Sequence, residues 1–155
     1  MITKNQIKFI NSLSLKKKRQ KKQLFIVEGE KIVAELLNSN FEFHEIFATN
    51  EWILKNADVR TIKVTASELD RLSNLKSANN VLAIVKIKVE NISITDGLTL
   101  VLDDINDPGN LGTIIRMCDW FGVKKLVCSK STVDCFNPKV VQSAMGSLFR
   151  VPVIY

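Results

Sequence analysis

The chain has 155 residues, 46% of them hydrophobic and 25% charged, with only six Gly and three Pro, which excludes disordered, collagen-like and low-complexity polymers. Basic residues outnumber acidic ones 22 to 16, and no stretch reaches the roughly 18 uninterrupted apolar residues that a membrane helix needs. The start, MITKNQIKFINSLSLKKKRQKK, lacks the order of charge, apolar core and small-residue cleavage site that marks a secretory signal, so the sequence reads as a cytoplasmic protein with no membrane partner.

The surplus charge lies at one end. Residues 1–22 hold eight basic residues (Lys4, Lys8, Lys16, Lys17, Lys18, Arg19, Lys21 and Lys22) and no acid. The run Lys16–Lys22, KKKRQKK, repels itself unless a polyanion, most often nucleic acid, neutralises it by displacing condensed counterions. A solvated helix end is the plainer reading of the same run. An anionic membrane is a weaker one, because the segment before it has an imperfect helical stripe and no Trp to anchor it in lipid.

Residues 1–22 are therefore set apart as a basic arm. LFIVEG (24–29) then reads as a buried strand and EKIVAELLNSN as a helix with Ile32, Val33, Leu36 and Leu37 on its apolar face. HEIFAT (44–49) is a second strand, followed by a short helix around Trp52 and a third strand, RTIKVT. The pattern TASE (65–68) opens a helix with a capping box, and VLAIVKIKV (81–89) is a fourth strand. Alternating strands and helices predict an α/β unit with mainly parallel strands over 23–90. Residues 91–98 break the pattern as a linker.

Beyond it, TLVLDDI (99–105) has the apolar run of a strand buried on both faces of a parallel sheet. LGTIIRMCDWFG places Leu111, Ile114, Ile115, Cys118 and Phe121 at helical spacing, stopped by Gly122. VKKLVCS is a strand, NPKVVQSAMGS a helix capped by Asn137 with Pro138 in its first turn, and FRVPVIY a closing strand. Two β-α steps and the start of a further strand make an incomplete second domain, 99–155. Its three cysteines, Cys118, Cys128 and Cys135, are odd in number and lack metal-ligand spacing. They read as reduced thiols, two of them buried.

Val101–Val123 sets Asp103, Asp104, Asn106, Asp107 and Asn110 at the carboxyl end of a strand, where open α/β sheets form their ligand crevices. The same residues also make an ordinary turn with Asn as helix cap. GNLG lacks the third glycine of a dinucleotide fingerprint and the Lys-Ser/Thr of a P-loop. Arg116 lies one residue off the apolar stripe, in line with Thr113 and Trp120, where its guanidinium faces the rim and is able to clamp a phosphate; a surface pair with Asp119 or Asp103 is the alternative. His44, the only histidine, reads as a structural imidazole. Asp103 and Asp104, adjacent in a strand, point to opposite faces and do not chelate a metal together.

DPGNLGTIIRMCDWFGV followed by NPKVVQSAMGSLFRVPV resembles the first and second motifs of the SpoU (TrmH-like) RNA 2′-O-ribose methyltransferases. LFIVEGEKIVAELL with HEIFAT resembles the substrate-binding domain of the same family. The resemblance implies an L30e-like substrate-binding α/β domain that grips rRNA or tRNA, followed by an α/β-knot (Rossmann-like) methyltransferase domain that binds S-adenosylmethionine. It implies Arg116 as the catalytic residue, Asn110 as the asparagine that shapes the site, and Gly146 and Ser147 as cofactor-binding residues. Two departures stand out. KSANNVLAIV replaces a Thr-Pro-Gln-Gly-like segment. The third motif, a Gly-x-Glu-Gly loop with the Ser-Leu-Asn segment that threads the knot, falls beyond Tyr155. In the family it supplies much of the cofactor pocket and of the homodimer interface, so residues 1–155 alone are not expected to close the knot. A non-catalytic RNA-binding protein that keeps the arm and the first domain is the competing reading, and a nucleotide-binding α/β protein unrelated to RNA ranks last.

Overall fold

The computed structural model describes residues 2–75, 79–88 and 97–155. Helices α1 (Lys4–Ser12) and α2 (Lys16–Lys22) precede β1 (Leu24–Glu28), α3 (Glu30–Leu37), β2 (Phe43–Ala48), α4 (Asn50–Lys55), β3 (Ile62–Lys63), α5 (Ala66–Asp70) and β4 (Val81–Lys86). The second half runs β5 (Thr99–Leu102), α6 (Pro108–Trp120), β6 (Lys125–Cys128), α7 (Pro138–Ala144), a 3-10 turn over Ser147–Phe149 and β7 (Val153–Ile154). Most of the expected linker, residues 91–96, lies outside the described residues.

The first sheet has the order β1-β4-β2-β3, with β4 antiparallel to both neighbours and only β2 and β3 parallel. This corrects the mainly parallel sheet expected from the alternation of strands and helices. β1 and β4 are nearly continuous apolar runs because the sheet is covered on both faces there. Along β1 and β4, Phe25, Val27, Val81, Ala83 and Val85 face one core, while Leu24, Ile26, Leu82 and Ile84 face the other, the period-two alternation of a pleated strand. The second core is closed by Ile10 and Leu13 from the α1 end and by Leu69 and Leu72 around α5. Residues 1–22 are thus not a free arm: α1 is capped by a Thr3–Gln6 capping box and packs onto the sheet. The box predicted at Thr65–Glu68 is also present.

The second sheet, β5-β6-β7, is wholly parallel, as expected. β5 departs from expectation: among the described residues it lies at an edge of the sheet, and Val101 is 69% exposed. The two halves share one core, in which Phe25 meets Phe136 and Phe41 meets Phe149 with ring centroids 4.7 and 5.2 Å apart, distances typical of tilted and edge-on aromatic pairs.

All three cysteines are buried and free, one more than expected. Burial pushes the Cys128 thiol up to about 11 and raises those of Cys118 and Cys135 as well. Because the thiolate is the reacting form, the native protein is expected to resist iodoacetamide at pH 8. All three thiols should alkylate in denaturant; rapid labelling of the native protein, read by mass spectrometry, would contradict the packing.

Candidate active site

The loop after β5 is stitched to the loop after β6. Asp104 N donates to Ser129 Oγ at 3.0 Å, Ile105 N to Thr132 Oγ1 at 3.3 Å, and Val133 N to Ile105 O at 2.8 Å. α6 starts directly from this platform. Its cap is Asp107, whose Oδ1 accepts from Asn110 N at 2.7 Å, with Pro108 in the first turn. Asn110 is therefore in the first turn of α6 rather than at the cap, and it is exposed. α7 begins as expected, with Asn137 Oδ1 accepting from Lys139 N at 2.9 Å and Pro138 following.

α6 and α7 lie unusually close. A Cβ on Gly112 would stand 2.4 Å from Ser143 Cβ and 2.9 Å from Val140 O, closer than van der Waals contact permits, so only glycine allows this crossing. Leu111, Ile115 and Cys118 fill the buried side of α6. Phe121, expected on that stripe, is 72% exposed, because the helix ends at Trp120 and the chain turns outward there.

Arg116 sits on the open side of α6, exposed, and has no hydrogen bond or ion pair among the described residues. Asp119, one of its expected alternative partners, is taken by Arg150, whose Nε and Nη2 donate to Oδ2 at 2.9 and 2.7 Å. Asp103 is exposed and makes no pair with Arg116. Arg116 shares a concavity of about 660 Å³ with Thr113, Met117, Trp120, Met145 and Ser147.

The wall of this concavity is held by a network that the sequence did not suggest. Arg150 spans the two halves, donating from Nη1 to Glu35 of α3 while it grips Asp119. The Arg150 hydrogen bonds hold the Asp119 carboxyl below its usual range, helped by one from Ser147. Gly146 (φ 94°) follows Met145 (φ 53°), two consecutive left-handed residues, and the second packs so tightly on Glu35 that a Cβ would lie 2.7 Å from that side chain. Gly146 and Ser147 thus build the frame of the site.

Of the basic run, Lys16, Lys17, Lys18, Lys21 and Lys22 are exposed on α2. Arg19 is the exception to the expected RNA-binding set. It is 1% exposed, donates to Asp134 Oδ2 from Nε (3.0 Å) and Nη2 (2.5 Å), and from Nη1 to the carbonyls of Leu13 and Ser14. Four of its five N–H donors are used in this way and the group is buried, so it is not presented to a phosphate. His44, expected to be structural, is exposed on β2. Among the described residues no His, Cys, Asp and Glu cluster fits a metal ion, and no helix is long and apolar enough to cross a membrane.

Comparison with known proteins agrees with this arrangement. Residues 97–155 match the SpoU rRNA Methylase family and residues 4–83 the MRM3-like substrate binding domain. The chain belongs to the SpoU family. The chain is similar to the 23S rRNA (guanosine(2553)-2′-O)-methyltransferase of Bacillus subtilis, with 32% identity over 97% of this chain and 62% of the relative. A TrmH-family protein from Porphyromonas gingivalis superimposes with a TM-score of 0.89 at 36% identity, covering 99% of this chain and 62% of that one. An AdoMet-bound rRNA methyltransferase from Sinorhizobium meliloti does so at 0.86 and 27% identity, again over 99% and 62%. The SpoU-family chain therefore spans about six tenths of the length of these relatives, and both its halves have the fold of the family.

Proposed function

We propose that this protein is an S-adenosylmethionine-dependent RNA 2′-O-ribose methyltransferase of the cytoplasm that acts on ribosomal RNA. The observation that carries the reading is Arg116: an exposed, unpaired guanidinium on a glycine-seated helix, with Asn110 in the first turn of the same helix and a concavity beside it. An arginine that held the fold together would be paired, as Arg19 and Arg150 are.

A ribose 2′-hydroxyl becomes a competent nucleophile only as its proton leaves. Arg116, permanently charged, stabilises the developing alkoxide and grips a neighbouring phosphate through its planar fork. That phosphate accepts the proton. Asn110 contributes an amide that orients the ribose at the entrance of the site.

S-adenosylmethionine, when bound, supplies a methyl group already activated by the sulfonium charge. Gly146 and Ser147, in the turn after α7, are the residues of this chain that would hold it. A Cβ on Gly146 would lie 2.7 Å from the Glu35 side chain, and Ser147 is buried in the same turn. A second reading, an RNA-binding protein without catalysis, is favoured by the exposed lysines of α2, which need only a polyanion. Incubation of the full-length gene product with labelled S-adenosylmethionine and ribosomal RNA separates the two: label on a ribose 2′-oxygen supports the first, and RNA binding with no cofactor uptake supports the second. The homodimer of the family is carried over as part of the first reading.

The five exposed lysines of α2 are the proposed RNA-binding surface. Their joint replacement by glutamine is expected to weaken RNA binding and to flatten its dependence on log salt by about 0.7–0.9 for each phosphate that is no longer neutralised. An unchanged salt slope in filter binding would remove α2 from the interface.

A further inference from the structure

We propose that Arg19 is a positioning residue that fixes the phosphate-binding helix α2 relative to Arg116. The inference rests on the methyltransferase reading. Within KKKRQKK, every lysine is exposed while Arg19 alone is buried, so the run holds two kinds of cation with two tasks. Arg19 closes the corner between α1 and α2 through the Leu13 and Ser14 carbonyls and reaches out of the first half to Asp134. The side chains of that pair are 2% and 13% exposed.

Asp134 is well placed to transmit a position. It lies in the loop after β6, where its Oδ1 accepts from Phe136 N at 3.0 Å, and Tyr155 Oη ties the same loop by accepting from Cys135 N and donating to Val133 O. The loop bonds in turn to residues 104 and 105 through Ser129, Thr132 and Val133. Two residues later Asp107 caps the helix that carries Arg116. A chain of hydrogen bonds, buried at Arg19 and partly exposed further along, thus runs from the lysine helix to the catalytic helix. Rigid alignment of this kind matters because a displacement of about 1 Å at a reacting centre costs on the order of 100-fold in rate.

The test uses the full-length gene product and two variants. Asp134→Asn removes the charge and leaves the Arg19 bonds to Leu13 and Ser14 in place. Arg19→Lys keeps the charge and loses the fork. Spin labels on Gln20→Cys in α2 and Met117→Cys in α6 report the distance between the helices, since Cys118, Cys128 and Cys135 are buried and stay unlabelled. In otherwise native protein without labels, kcat should fall on the order of 100-fold in both variants, with RNA affinity changed less than about twofold. The distance distribution should broaden in the labelled counterparts. Unchanged kcat overturns the proposal, as does a fall in kcat with an unaltered distance distribution. Should Asp134→Asn melt below the assay temperature, Asp134→Glu, which lengthens the carboxylate arm by one methylene, carries the same comparison. Absence of methyl transfer by the unmodified protein defeats the underlying reading instead, and the distance measurement still decides whether Arg19 holds α2 in place.

Discussion

Arg116→Ala is expected to abolish methyl transfer while leaving the melting temperature close to that of the unmodified protein. The two halves of that expectation have separate physical grounds. Arg116 is exposed and makes no bond among the described residues, so its removal leaves no buried group unsatisfied, and surface changes of this kind fall within about 0.5 kcal/mol. Loss of a group aimed at developing anionic charge typically costs about 2.7–4 kcal/mol of transition-state stabilisation, or 10²–10³ in rate. Arg116→Lys should recover little, since a point charge does not replace a fork that spans an alkoxide and a phosphate. The decisive measurements are single-turnover transfer of labelled methyl to RNA and a thermal melt of each variant. An alanine variant that transfers at the normal rate would remove Arg116 from the chemistry, and one that is inactive only because it has unfolded would make it structural.

Gly112→Val should produce the largest loss of stability of any single change considered. The first added carbon already stands 2.4 Å from Ser143 Cβ and 3.0 Å from Ala144 N, and the helix backbone has no rotamer with which to yield. α6 must lift from α7. Overpacking of this sort costs about 1–3 kcal/mol and occasionally more, a large part of the roughly 5–15 kcal/mol by which a domain is stable. With about 2–4 °C lost per kcal/mol for a chain of this size, a melting point lower by about 10 °C is expected. Activity should fall even below that temperature, because the same movement displaces Arg116. A Gly112→Val variant with an unchanged melting point would show that the helices are free to separate.

The elements of the second half are legible in the sequence because their signals are local. Asn137-Pro138 marks a helix start whatever surrounds it, and a short apolar run such as KLVC reads as a strand. Arg116 is legible for the same reason: its offset from Leu111, Ile115 and Cys118 fixes the side of the helix it occupies. What stays hidden depends on partners far away in sequence. The bonds from Arg19 to Asp134 and from Arg150 to Glu35 each join residues 115 positions apart, and no spacing rule connects them. The orientation of β4 escapes the pattern because alternation with helices does not reveal that β4 inserts antiparallel between β1 and β2. The exposure of Val101 is a matter of place: its composition suits a central strand, and among the described residues its strand lies at an edge of the sheet.

The aromatic packing between the halves bears on how the protein comes apart. Phe25 of β1 rests on Phe136, and Phe41 rests on Phe149, so the first sheet completes its hydrophobic cover with side chains contributed by the second. A segment cut out at residue 90 would bring those faces into water and lose the partners that fill them. The two halves are therefore a single cooperative unit of unfolding, and calorimetry should record one heat-absorption peak for the chain where a pair of independently folding modules would give two.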